Sequence, residues 1–153
     1  MITKDRLQFR WLATITTMGA GLAFIGHGAL ATQKDLEWVS LFARALRFLP
    51  NGTPSYSTVE NLTQYVGIAD MLFGATLILF GLALCMRPSL SRATMRTISV
   101  LLGVAIFWQI MTSLAFIIAD GALQPGVWHF LERSPSFLLP MVALFTLLWR
   151  EKK

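Results

Sequence analysis

Residues 66–86 read VGIADMLFGATLILFGLALCM, and this stretch decides the class of fold. It belongs to an interval of 26 residues between Glu60 and Arg87 in which Asp70 is the only charged residue. A helix that crosses the hydrocarbon of a bilayer needs about 20 apolar residues at a rise of about 1.5 Å each. The interval therefore predicts a transmembrane helix with one carboxylate inside it.

The composition of the 153-residue chain agrees with a location in the membrane. Hydrophobic residues make up 55% of the chain and charged residues 14%, and the mean hydropathy is +0.60. A soluble domain carries about 25% charged residues, so most soluble folds are excluded. The length is that of one domain, and we predict a single membrane domain over residues 1–153 in contact with the lipid bilayer.

Three further intervals without Asp, Glu, Lys or Arg are long enough for helices. They contain 23 residues after Arg10, 23 after Arg96 and 16 after Arg133. The last one is short for a bilayer, but it is still interpreted as a span. We therefore predict an all-α membrane protein, a four-transmembrane-helix bundle. Its predicted spans cover about residues 11–31, 64–86, 97–119 and 135–150.

The first span has an alternative interpretation as a cleaved signal peptide. Its start is basic, and Ala29-Leu30-Ala31 resembles a signal peptidase site. The apolar stretch is longer than the roughly 7 to 15 residues of a signal core, and it contains His27. A helix that stays in the membrane is the favoured reading.

The positions of the basic residues predict the orientation, because Lys and Arg are retained on the cytoplasmic side. Nine of the 13 lie at the N-terminus, at the C-terminus or in the loop after the second span. We therefore expect an inner (cytoplasmic) membrane protein with both termini in the cytoplasm. Topology explains the net charge of +5, so we expect no nucleic-acid partner.

The first outer loop is predicted to contain an amphipathic helix over about residues 33–49. Trp38, Val39 and Phe42 begin its apolar face. Thr32 and Asp35 are a candidate capping box, and Pro50-Asn51-Gly52 is a stop signal. Such a helix lies flat on the outer membrane surface, with Trp38 at the interface, or folds over the bundle as a lid. A second candidate capping box, Ser57 to Glu60, starts the second span. 

Polar residues within the spans are the candidate functional residues, because burying them in lipid is costly and they face the bundle interior. His27 follows Gly19 and Ala23 on one helical face, and Asp70 lies among the glycines of the second span. Gln109 and Ser113 form a stripe on the third span. Helix rise places His27, Asp70 and Ser113 at similar depths below the outer surface.

These four residues, His27, Asp70, Gln109 and Ser113, predict a polar pocket that opens to the outer face. His27 and Asp70 are its expected hydrogen-bonded pair, and Pro140 adds a free carbonyl at Ser136. The alternative is a structural clasp between the first two helices. Trp108 lies mid-span, where packing is the first expectation and stacking on a cofactor the second.

Other chemistries have little support in the sequence. His27 and His129 have no haem attachment motif, and no metal site is expected because no carboxylate-rich metal face is present. Cys85 is the only cysteine, so a cysteine pair within the chain is excluded. We expect no covalently bound cofactor.

The order of motifs resembles the DoxX-like family of small four-helix membrane proteins. A basic N-terminus precedes a first span that ends in Gly26-His27-Gly28, and a loop helix and a Gly-rich second span follow. Trp128-His129-Phe130-Leu131-Glu132-Arg133 comes before a last span that contains proline. Related sequences often have Asn after the Glu-Arg pair, where this chain has Ser134.

This resemblance implies a function, since the best-described relatives are subunits of a thiosulfate:quinone oxidoreductase. By that resemblance the chain is an accessory subunit of a quinone-linked membrane oxidoreductase or electron-transfer complex. Quinone is then the cofactor, and other membrane or peripheral subunits are the partners. The resemblance also assigns Trp128, Glu132 and Arg133 to the outer rim of the pocket. A structural subunit without chemistry and a small proton-linked transporter are the alternatives.

Overall fold

The structure is a computed structural model that describes residues 4–48, 54–86, 90–120 and 126–151. This part of the chain is helical and contains no strand. Its six α-helices are α1 (Lys4–Thr32), α2 (Leu36–Ala45), α3 (Tyr56–Met86), α4 (Arg92–Asp120), α5 (Gly126–Glu132) and α6 (Ser134–Glu151). A short 3₁₀ helix, Leu46–Phe48, follows α2 directly. The predicted stop signal at Pro50-Asn51-Gly52 lies outside the described residues.

Four segments of the described chain are long and apolar enough to cross a membrane, as the charge-free intervals predict. They are Leu7–Thr32, Tyr56–Met86, Arg92–Ala119 and Gly126–Trp149. The bundle also exposes many large apolar side chains, such as Leu72 on α3 and Phe107 on α4, at 67% and 66% of their surface. These are the properties of a multi-pass integral membrane protein, whose exposed apolar surface contacts lipid.

The long helices differ widely in how closely they pack. α1 has its most extensive contact with α3 and a smaller one with α6, and α6 also packs against α4. α3 and α4 contact each other at only a few positions. The bundle is therefore a ring in the order α3, α1, α6, α4, with a weak junction between α3 and α4.

Glycines on both helices create the close contact between α1 and α3. A Cβ at Gly21 would lie 2.6 Å from the carbonyl oxygen of Gly74, and one at Gly28 would lie 2.5 Å from that of Gly67. No real side chain tolerates such distances, so the two backbones touch. The predicted glycine face of α3 is confirmed.

The predicted small-residue face of α1 packs against α6, and another face packs against α3. At Gly19, which was expected to share a packing stripe with Ala23 and His27, a Cβ would lie 3.3 Å from the side chain of Leu139 of α6. Gly21 and Gly28 form the contact with α3. His27 is adjacent to Gly28, about 100° further round the helix, so it does not lie in the line of glycines that touches α3.

α2 packs on the bundle. It contacts α4 and α3, and it buries Trp38, Val39 and Leu41. Trp38 is only 7% exposed and belongs to a cluster with Phe116 and Ala119. The indole of Trp38, which was expected at the membrane interface, is packed within the protein against Phe116 and Ala119 of α4. Of the two predicted placements of this helix, the contacts favour the lid.

The helix starts differ from both predicted capping boxes. Asp35 is the N-cap of α2, and its carboxylate accepts a hydrogen bond from the Glu37 backbone N–H at 2.9 Å. Thr32 instead donates to the carbonyl of Ala29 within α1. At α3 the Ser55 hydroxyl accepts from the Thr58 backbone N–H. Both predictions failed because the cap is another residue: Asp35, three residues after Thr32, which is still part of α1, and Ser55, two residues before Ser57.

Candidate functional site

Asp70 and Trp108 form the link between α3 and α4. The indole Nε1–H of Trp108 donates to Asp70 Oδ1 at 2.9 Å. Asp70 is 8% exposed. It lies between Gly67 and Gly74, so the close contact with α1 holds its backbone in place. Since α3 and α4 touch little elsewhere, this hydrogen bond is the main polar contact across their junction.

A cavity of about 430 Å³ has this hydrogen bond on its wall. Its walls are mainly aromatic, and among the described residues that line it Asp70 is the only charged one. The lining residues are Phe24, Ala69, Asp70, Phe73, Val104, Phe107 and Trp108. Phe24 and Phe73 meet edge to face with ring centroids 5.0 Å apart, which fixes one wall. Because Phe107 is largely exposed, the cavity opens sideways toward lipid.

A second, apolar cavity of about 210 Å³ lies between α2 and α4. α2, which we call the lid helix, contributes one wall, which includes Leu41, Phe42 and Ala45. α4 contributes the other wall with Trp108, Met111, Thr112 and Ala115, while Trp38 and Leu46 complete the lining. Trp108 therefore borders both cavities.

His27 lies in a separate group of side chains at the end of the bundle that is predicted to be the outer one. We call this group, made of His27, Trp38, Phe116 and Arg133, the outer cluster. The guanidinium carbon of Arg133 lies 4.5 Å from the ring centroid of Trp38 and 4.3 Å from that of Phe116. The His27 ring is centred 5.9 Å from Trp38. A cation against two rings stabilises the arrangement of α2, α4 and the α5–α6 turn.

The charges around Arg133 come from several elements. His27 of α1 interacts electrostatically with it, as do Glu37 of α2 and Glu132 at the end of α5. Glu37 and Glu132 balance the positive charge of Arg133 at this meeting point of helices, whereas His27 carries no negative charge that could do so. Trp128, by contrast, is 58% exposed and does not belong to the cluster.

Gln109 and Ser113 lie on the buried face of α4. Gln109 is 3% exposed and Ser113 is fully buried. The Ser113 hydroxyl has no hydrogen-bond partner among the described residues, and the same holds for Thr14 and Thr17 of α1. These groups give the bundle interior a polar character, but they do not line either cavity.

The structure therefore separates the predicted pocket into parts. Asp70 is buried as expected, but its partner is Trp108, and no hydrogen bond joins Asp70 to His27 in the described structure. His27 and Arg133 belong to the outer cluster, while Gln109 and Ser113 face the interior. Sequence reasoning took Trp108 first as a packing residue. The sequence does contain a signal for its role: an indole N–H in the middle of a span needs a hydrogen-bond acceptor.

The aromatic cavity has the chemistry to hold a planar organic ring. Planar rings stack on Phe and Trp side chains, and a carboxyl group forms hydrogen bonds with polar atoms on the edge of such a ring. The volume is within the range of about 300–1,000 Å³ that small-molecule sites occupy. No group of three or more His, Cys, Asp or Glu side chains that could hold a metal occurs within the described ranges.

Comparison with known protein families, curated proteins and solved structures finds no match to this chain. The resemblance to the DoxX-like family stays a prediction. Statements about function therefore rest on the geometry of the two cavities and of the outer cluster.

Proposed function

We propose that this protein binds a membrane quinone between α3 and α4 and serves as an accessory subunit of a quinone-linked oxidoreductase. The observation that carries the proposal is the Asp70–Trp108 hydrogen bond on the wall of an aromatic cavity that opens to lipid. A quinone in the bilayer reaches such a cavity without passing through water. We also propose that the protein lies in the inner membrane with both termini in the cytoplasm. The positions of the basic residues support this orientation.

Each part of the cavity has a separate role in binding. Phe24, Phe73 and Phe107 hold the ring by stacking and edge contacts. Trp108 fixes one carboxyl oxygen of Asp70 by its N–H. The other oxygen is then available to hold a proton at the quinone carbonyl or to take one from a hydroxyl of the reduced ring.

Electrons must come from a partner subunit. A bound quinone supplies the capacity to accept electrons and protons, whereas this chain contains one cysteine and no cysteine pair. The chain's own residues then position the ring and exchange the proton. The partner is a membrane or peripheral protein that carries a redox centre, as the resemblance to oxidoreductase subunits implies.

The test is to purify the protein in mild detergent and measure bound quinone by solvent extraction and mass spectrometry. Quinone that remains through size-exclusion chromatography, together with a co-purifying redox protein, is the expected result. Wild-type protein that is folded and carries no quinone, even after incubation with decylubiquinone, contradicts the proposal.

A double variant, Asp70→Leu with Trp108→Phe, separates binding from a purely structural clasp. Replacing both partners of a buried hydrogen bond by apolar groups costs little stability, so this variant is expected to fold. The proposal predicts that it loses bound quinone while its circular dichroism spectrum stays helical. Quinone retention equal to that of the wild type would show that the hydrogen bond only joins two helices.

A further inference from the structure

The two cavities lie along a single stripe of α4. Val104, Phe107 and Trp108 line the aromatic cavity, and Trp108, Met111, Thr112 and Ala115 line the apolar one. These positions repeat with the spacing of three and four residues that places side chains on one face of a helix. At about 1.5 Å per residue the stripe is roughly 16 Å long.

The chemistry along this stripe changes from one end to the other. The end near Val104 has the carboxyl group of Asp70 and the aromatic walls. Beyond Trp108 the lining is almost wholly apolar, with the Thr112 hydroxyl already bonded to the backbone carbonyl of Trp108. An occupant that matches both ends has one polar ring and one hydrocarbon chain.

We propose that the crevice between α2 and α4 binds the hydrocarbon tail of the quinone whose ring lies at Asp70. This inference rests on the proposed function and names the part of the ligand that the lid helix recognises. Trp108 is the pivot, because its indole borders both cavities while its N–H holds Asp70. The lid helix α2 then covers the tail, and the packing of its Trp38 with Phe116 and Ala119 of α4 keeps the crevice in shape.

The physical source of the tail preference is packing. Lipid already surrounds a free tail with hydrocarbon, so transfer into the crevice gains little from the hydrophobic effect. Close contact with Leu41, Phe42 and Ala115, and covalent linkage to the bound ring, supply the preference instead. A side chain that fills the crevice removes these contacts and leaves the ring site intact.

The experiment compares two probes on three proteins. The probes are decylubiquinone and the same benzoquinone ring without the decyl chain, and their dissociation constants are measured by isothermal titration calorimetry in detergent. The proteins are the wild type, Ala115→Phe, which fills the crevice, and Ala75→Phe, which makes the same change on the exposed face of α3.

We expect the wild type and Ala75→Phe to bind decylubiquinone more tightly than the tailless ring. Ala115→Phe is expected to bind decylubiquinone roughly tenfold more weakly, because the new side chain removes the contacts of the tail, while its affinity for the tailless ring stays the same. If a folded Ala115→Phe protein prefers decylubiquinone over the tailless ring as strongly as the wild type does, the tail site is overturned.

The design also separates this inference from the proposed function. If the tailless ring binds the wild type but not the Asp70→Leu, Trp108→Phe double variant, the ring site is established whatever the crevice variant does. If neither probe binds the wild type, the proposed function fails and the tail site fails with it.

Thermal unfolding checks that the Ala115→Phe protein is folded. If that variant does not fold, Ala45→Phe, which fills the same crevice from the α2 side, takes its place.

Discussion

The two faces of α3 show opposite ways of joining transmembrane helices. Toward α1, Gly67 and Gly74 let the backbones touch, and the contact runs along most of both helices. Toward α4, contacts are few, and the Asp70–Trp108 hydrogen bond lies on the wall of a cavity of about 430 Å³. The first face gains stability from packing, and the second leaves space between the helices. One helix therefore carries both the rigid support of the bundle and one wall of its candidate site.

The largest expected effect is at the rigid face. In Gly74→Ala the new methyl group meets the Gly21 carbonyl oxygen at 2.5 Å, and backbone cannot rotate away as a side chain can. We expect a loss of about 3 kcal/mol in the free energy of unfolding, at the upper end for overpacked cores. Thermal unfolding in detergent, followed by circular dichroism, measures the loss.

The matched control for this prediction is Gly103→Ala on α4. A Cβ at Gly103 meets nothing within 4 Å. Its better helix propensity makes this change neutral or stabilising by up to about 1 kcal/mol. Equal melting temperatures for the two variants would mean that the backbones of α1 and α3 do not touch.

The next effect concerns the open face. Asp70→Leu leaves the indole N–H of Trp108 without its acceptor in an apolar cavity, at a cost of about 2 kcal/mol. Adding Trp108→Phe removes the orphaned donor and should restore most of that stability. A double-mutant cycle on unfolding free energies measures the coupling. A double variant less stable than Asp70→Leu alone would show that the indole acts by packing instead of by its N–H.

A smaller effect is expected in the outer cluster. Arg133→Met removes the cation from the rings of Trp38 and Phe116 and should cost about 1–2 kcal/mol. The loss should appear locally, as faster hydrogen exchange in α2 while α1 and α3 stay protected. Arg92→Met, at an exposed position on α4, is the control with the same change of charge. Similar exchange rates in the two variants would exclude a clamping role for Arg133.

The smallest effect is expected at the ion pair that connects the turn between α1 and α2 to α3. Lys34 Nζ lies 3.3 Å from Glu60 Oε1, and both side chains are about one-third exposed. Lys34→Ala should therefore cost less than about 1 kcal/mol, and the difference should vanish at high salt. A salt-independent loss would point to the backbone of Lys34, whose φ of 55° is already strained, as the source.

Charge spacing predicted the long helices because it is a local property of the sequence. An interval of 26 residues broken only by Asp70 has few other structures available in a membrane protein. The helices extend past the apolar intervals, so that α3 begins at Tyr56 and not near residue 64. α5 was not predicted, because seven residues carry too little periodicity to indicate a helix.

The candidate site was only partly predictable, because it depends on how each helix is rotated. Asp70 was identified from the cost of its charge, and it is buried. Its partner could not be chosen from spacing, since Gly19 and Gly21 are both small and only their neighbours decide which one faces α3. Because Gly21 and Gly28 face α3, His27 lies away from Asp70 and belongs to the outer cluster.

The place of Arg133 in the chain has a consequence for biogenesis. Ribosomes deliver the helices in order, so α1, α2, α3 and α4 are made before the residue that holds the lid. Until Arg133 arrives with the last span, Trp38 and Phe116 lack the cation between them. The packing of α2 on the bundle is therefore completed only after the last span has been made.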